Sequence, residues 1–166
     1  MSIEFFDLKC RSKSDKSNFG LCDDPPPSNS PAYINEDDLP AWIGEVANIN
    51  NEDVSFFAID NCVTILRSDG TSDSRCDGVL SYSNKLIFVE LKSRRTKKWF
   101  KKGREQITAT IVAFKKNHDI SIYKSVEAYV CNNLRPIAHV GQAENIQKFK
   151  DKTGYILRGK RDIDLT

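Results

Sequence analysis

The stretch CDGVLSYSNKLIFVELK, running from Cys76 to Lys92, decides how this chain folds. Ser83-Asn84 is turn chemistry set between two β-rich runs, Cys76–Tyr82 and Leu86–Leu91, so the stretch reads as a hairpin. LIFVEL is apolar nearly throughout, which suits a strand covered on both faces in the middle of a sheet. Glu90 and Lys92 interrupt that pattern, and burying charge without a partner is costly enough to need a reason. Side chains alternate along a strand, so these two point to one face. With the turn centred on Ser83-Asn84, Tyr82 meets Lys85, and counting back along both strands sets Asp77 opposite Glu90. Cross-strand Cβ atoms lie about 4.5–5.5 Å apart, close enough for two carboxylates to share one divalent ion with Lys92 beside them.

Downstream of the hairpin, Thr96 to about Asn117 has the length and composition of a helix, with Phe100, Ile107, Ile111 and Phe114 as its apolar stripe. Ser125–Cys131 reads as a strand, Gln142–Lys152 as a helix that Gly154 terminates, and Tyr155–Arg158 as a short last strand. Upstream, Val54–Ile59 and Val63–Arg67 read as a hairpin around Asp60-Asn61, with Asp60 a turn former, followed by a loop over Ser68–Ser74. Pro40 and the helical spacing of Trp42, Ile43, Val46 and Ile49 predict a helix over roughly 39–50. Residues 11–40, with few apolar positions and the triplet Pro25-Pro26-Pro27, read as loop. The expectation is a loose N-terminal segment over 1–37 and a single α/β domain over 38–166, one mixed sheet flanked by helices.

Composition narrows the function classes little. Basic residues number 25 and acidic residues 23, so the net charge of +2 implies no partner by itself. No run approaches the length needed to cross a bilayer and the first residues lack a secretory pattern, which predicts a soluble, cytoplasmic protein without membrane contact. The five cysteines are scattered and never spaced C-x-x-C, so reduced, packing thiols are expected.

Two carboxylates and an ammonium on one face suit phosphodiester hydrolysis. Carboxylate oxygens hold a hard cation, which polarises phosphate and generates hydroxide, while an ammonium orients the nucleophile or offsets developing charge. Magnesium is the natural ion, with manganese as substitute. CDGVL followed by IFVELKS resembles the D…(D/E)XK core of the PD-(D/E)XK nuclease superfamily, which includes restriction endonucleases, exonucleases and junction resolvases. The resemblance covers about residues 38–131 and implies a restriction-endonuclease-like core: a central mixed sheet flanked by helices. It also implies a metal-dependent nuclease acting on DNA, with Asp77 and Glu90 as metal ligands and Lys92 as catalytic residue. Cys76 stands where the family carries a proline before the first acid.

Other residues gain meaning beside that motif. KSRRTKKWFKKGR holds Arg94, Arg95, Lys97 and Lys98, then Lys101, Lys102 and Arg104, with no acid among them: an electrostatic footprint for nucleic acid. Trp99 and Phe100 could stack on bases or simply pack. Gln106 lies on the long helix where the resemblance implies a glutamine positioning the catalytic group; Thr110 stands where exonuclease members carry tyrosine. Glu45 falls on the apolar face of the expected 39–50 helix, and the family's glutamate on its first core helix makes it a candidate third metal ligand. His118 and His139 are isolated and expected at surfaces or helix ends. Two alternatives stay open: a silent binding module of the same fold, and a subunit completed by a second copy or a larger protein partner in a defence or toxin-associated complex.

Overall fold

The computed structural model describes residues 2–135 and 142–166, so the reading of His139 lies outside the described residues. The elements, in chain order, are β1 (Arg11–Ser14), β2 (Asn18–Cys22), β3 (Tyr33–Asn35), β4 (Gly44–Ala47), β5 (Val54–Ala58), β6 (Gly78–Tyr82) and β7 (Lys85–Lys92). They continue with α1 (Trp99–Asn117), β8 (Ser125–Asn132), α2 (Ala143–Thr153), β9 (Ile156–Gly159) and β10 (Asp162–Asp164).

The β6–β7 hairpin turns on Ser83 and Asn84, whose φ values of 44° and 61° match the two left-handed positions of a tight hairpin turn. Its observed register pairs Tyr82 with Lys85 and Gly78 with Val89, as the sequence predicts. The hairpin lies inside a six-stranded sheet ordered β1-β5-β6-β7-β8-β9, antiparallel up to β7 and parallel from β7 to β9. Parallel strands need a crossover, and α1 supplies the one between β7 and β8. Among the described residues the protein is thus α/β, with a mixed sheet and two α-helices.

Both faces of that sheet are covered. Phe88 and Val130 point to the helices and meet Phe100, Ile107, Ile111 and Phe114, the expected stripe of α1, all of them fully buried. Val89, Leu91 and Tyr129 point the other way, onto a second sheet ordered β10-β4-β2-β3. Gly154, with φ of 86°, closes α2 in the left-handed conformation that glycine adopts without penalty.

The second sheet overturns two expectations. Residues 11–40 carry three strands instead of a loose segment: Phe19 and Leu21 of β2 are fully buried in the core between the sheets. Strands of three to five residues, with one buried position in β1, four consecutive ones in β2 and none in β3, leave no alternation to read. Over 39–50 the chain makes one 3-10 turn, Leu39–Ala41, and then strand β4. Val46 is buried in β4 while Ile49 is 79% exposed, so the apparent helical stripe was coincidence over a window too short to separate the two periods.

The hairpin expected at 54–67 also fails. β5 pairs with β1 and β6, while Val63 and Ile65 enter the helix-side core from an irregular loop. That pairing places the β1 end of the chain beside the loop after β5, where Cys10 and Cys62 form a disulfide across a separation of 52 residues. The expectation of five reduced thiols is corrected accordingly; scattered spacing carries no information about such a contact.

Candidate functional site

Asp77 stands one residue before β6, yet its carbonyl still accepts from Ile59 N–H at 2.8 Å, so the sheet fixes its backbone. One step beyond the Gly78–Val89 pair, it faces Glu90. The two side chains bridge the strands reciprocally: Asp77 N–H donates to Glu90 Oε1 at 3.0 Å, and Leu91 N–H donates to Asp77 Oδ2 at 2.7 Å. Lys92 Nζ lies 2.9 Å from Glu90 Oε2 and donates to Gln106 Oε1 at 2.6 Å. Asp77, Glu90 and Lys92 are 6%, 3% and 8% exposed, so three ionisable groups are buried against one another.

That burial governs the acidity of the two carboxyls. Desolvation and then the neighbouring Glu90 charge push the Asp77 carboxyl well above the usual carboxylate range. Burial also raises Glu90, against the opposing pull of the Lys92 ammonium. Two acids that resist losing both protons are a pair that a divalent cation would relieve.

The triad opens into a cleft of about 320 Å³ whose lining includes Asp23, Pro25, Asp60, Asp77, Glu90 and Lys92. Asp23 is a residue that sequence reasoning missed. It follows directly on β2, is half-buried, and its charge adds to the forces raising Asp77. Its own carboxyl is raised by burial, then by Asp60 and Asp24, while Lys92 lowers it. No local signal marks it, because its place beside Asp77 is set by the pairing of β2 with β4. Asp60, read as a turn former, accepts from Arg75 Nε at 3.0 Å and lines the same cleft.

Two further buried residues brace the site. Thr110 Oγ1 accepts from Cys76 N–H at 2.8 Å and donates to the Gln106 carbonyl at 2.9 Å, tying the strand end that carries Asp77 to α1. Asn132, fully buried at the end of β8, accepts from Arg94 N–H at 3.3 Å and donates to the Arg94 carbonyl at 2.7 Å. Arg94 is thereby held at the cleft, which it lines with Ser93.

The basic run is brought beside the triad, unevenly. Arg94, Arg95, Lys97, Lys98, Lys101 and Lys102 are exposed, whereas Arg104 is half-buried and donates to Asn145 Oδ1 at 2.9 Å. Trp99 and Phe100 are 3% and 0% exposed and belong to the core, so they pack and do not form a stacking platform. Glu45 is not brought to the cleft: it sits in β4, 3.8 Å from Arg161 Nη1, and its expected role as metal ligand falls with the helix that suggested it. His118 caps the end of α1 among Phe5, Phe6 and Phe114.

Among the described residues no group of three or more His, Cys, Asp or Glu side chains is arranged to hold a metal ion. Asp77 and Glu90 therefore fit only a cation content with two protein carboxylates. Magnesium is such an ion, because it keeps several waters and uses one or two carboxylates. Among the described residues no helix is long and apolar enough to cross a membrane. Comparison with protein-family models, with curated proteins and with solved structures found no match.

Proposed function

We propose that this chain is a metal-dependent nuclease of the PD-(D/E)XK type that hydrolyses phosphodiester bonds in DNA. The observation that carries the reading is the buried pair of facing carboxylates, Asp77 and Glu90, with the Lys92 ammonium 2.9 Å from Glu90. The order of acid-bearing hairpin, long helix and parallel strand agrees with a restriction-endonuclease-like core, although a strand, β4, stands where that core begins with a helix.

Asp77 and Glu90 would hold magnesium, or manganese in its place, which supplies Lewis acidity toward a phosphate oxygen and makes bound water more acidic. The chain's own residues do the rest. Lys92 presents a fixed positive charge to the nucleophile and to the charge that develops on phosphorus-bound oxygens. Gln106 positions Lys92 through the 2.6 Å hydrogen bond and donates from Nε2 to the Arg75 carbonyl at 3.4 Å, so its amide orientation is set from both ends. Arg94, Lys101 and Lys102 offer exposed charge for neighbouring phosphates.

The test is cleavage of linear single-stranded and duplex DNA in magnesium or manganese, with Asp77→Ala, Glu90→Ala and Lys92→Ala as controls. Cutting by the wild type that each substitution abolishes, with circular dichroism unchanged, is the expected result. Cutting that survives Lys92→Ala or Glu90→Ala would transfer the activity elsewhere and refute the assignment.

A further inference from the structure

The charges around the cleft are divided by side. Beyond the triad, one end of its lining is Asp23, Asp24 and Asp60 with the Pro25-Pro26 turn. At the other end Lys92, Arg94 and Gln106 are shared with an adjoining hollow that Ser74, Lys102 and Glu105 complete, the last lying 3.7 Å from Arg104 Nη2. A phosphate chain leaving the triad across Arg94 and Lys102 meets cations; one continuing the other way meets the carboxylates of Asp23 and Asp24, with Asp60 beside them paired to Arg75 Nε at 3.0 Å. Asp24 is exposed and its Oδ1 accepts from Tyr33 O–H at 3.0 Å, a neutral partner, and among the described residues no cation pairs with it. The cleft's volume of about 320 Å³ is near the lower bound of small-ligand sites, about 300 Å³.

We infer that the site works from strand ends: the acidic end receives a terminal nucleoside bearing a free hydroxyl, and the rest of the strand runs out over Arg94 and Lys102. The inference rests on the nuclease reading above. In the step, water oxygen bonds to the last phosphorus, the phosphorus–oxygen bond to the longer strand breaks, and the departing oxygen takes a proton. A mononucleotide is released and the remaining strand ends again in a hydroxyl, so the step repeats. Like charges facing one another across a recognition surface discriminate strongly, so a terminal phosphate or an unbroken strand is rejected by Asp24 and its neighbours.

Three internally labelled single-stranded DNAs of one sequence test this: linear with hydroxyl ends, linear with both ends phosphorylated, and covalently closed. In magnesium or manganese, mononucleotide release from the first should exceed cleavage of the circle by about tenfold or more, a difference of about 1.4 kcal/mol. The phosphorylated strand should be degraded several-fold more slowly than the hydroxyl strand, and Asp24→Asn should narrow that gap. Opening of the circle at a rate within about threefold of the linear strand would overturn the inference while leaving the nuclease reading intact. If none of the three is cut, the nuclease reading fails instead. Fluorescence anisotropy with Lys92→Met then decides end recognition alone, equal affinity for circle and hydroxyl strand overturning it and about tenfold tighter binding of the latter supporting it.

Discussion

Replacing Asp77 by Asn should make the metal-free protein more stable while removing its response to magnesium. The substitution keeps the shape of the site: an amide oxygen can accept the 2.7 Å bond from Leu91 N–H, and the Asp77 N–H still donates to Glu90 Oε1. What disappears is a buried negative charge beside another. Two unit charges about 5 Å apart repel by roughly 3 kcal/mol at an effective dielectric of about 20. Lys92 offsets part of this, and retention of a proton relieves part, so a net gain of about 1–3 kcal/mol is expected at pH 8. For a chain of this size each kcal/mol moves Tm by about 2–4 °C, giving a rise of about 2–12 °C.

The sign with pH follows from the same groups. Burial and Glu90 raise the Asp77 carboxyl above its free value of 3.8, so between those two limits the folded protein binds more protons than the unfolded chain. Wild-type stability in chelator therefore falls as pH rises above about 4, whereas Asp77→Asn lacks that contribution. Differential scanning calorimetry in EDTA from pH 4.5 to 8 should show the Tm difference growing in favour of the variant. Added magnesium should reverse the order, because a cation at a hundred times its Kd stabilises the wild type by about 2.7 kcal/mol and has no two-carboxylate site in the variant. A Tm difference that is flat across this pH range, or a variant less stable than wild type at pH 8, would refute the account of the carboxylate pair.

Lys92→Met should lower kcat on DNA by about a hundredfold or more, as loss of a charge that acts in the transition state does, with KM changed little; single-turnover kinetics checks it. Gly103→Val should cost about 1–3 kcal/mol, because a Cβ there already meets Val130 Cγ1 at 2.5 Å, and the resulting shift of α1 should reduce activity by moving Gln106; chemical denaturation and rate measurements report both. Paired Cys10→Ser and Cys62→Ser substitutions should lower stability by about 2–4 kcal/mol through the freed loop, a loss that reductant should reproduce in the wild type. Arg94→Ala should flatten the slope of log binding constant against log salt by about 0.7–0.9, the share of one phosphate contact, in anisotropy titrations.

The parts of this fold that were legible from sequence are those whose signal is local. Ser83-Asn84 fixes the hairpin turn, the turn fixes the register, and the register puts Asp77 opposite Glu90 with no knowledge of the remaining sheet. The stripe of α1 spans four turns and so could not be mistaken for a strand. The failures are contacts of long range. β1 and β2 are strands because β5 and β4 pair with them, and their own residues, RSKS and NFGLC, would serve as well in a loop. Glu45 was misassigned because four apolar residues over eight positions fit two periods, and partners β2 and β10 decided between them. Asp23 was invisible for the same reason: its relation to Asp77 exists only once β2 has been paired.

The site depends on α1 as a spacer as much as on the hairpin that carries the charges. Gly103 lets the helix approach β8 closely, Gln106 on the next turn reaches Lys92, and Thr110 one turn later holds Cys76 N–H. Residues three and four apart on a helix share a face, so these three contacts lie along one line facing the sheet. The line touches the site at both ends of its charge arrangement, the lysine through Gln106 and the aspartate's backbone through Thr110. A helix displaced by one methyl group at Gly103 would therefore move Lys92 and Asp77 relative to each other, which a strand pair alone would keep in register. Cys76, where the resembling family carries proline, has the backbone N–H that Thr110 needs, and a proline at that position would remove this brace. Cys76→Pro is thus expected to weaken the coupling between α1 and β6, visible as faster amide exchange at Asp77 and Gly78 and a lower Tm. Unchanged exchange there would mean that the sheet alone positions Asp77 and that the Thr110 contact is dispensable.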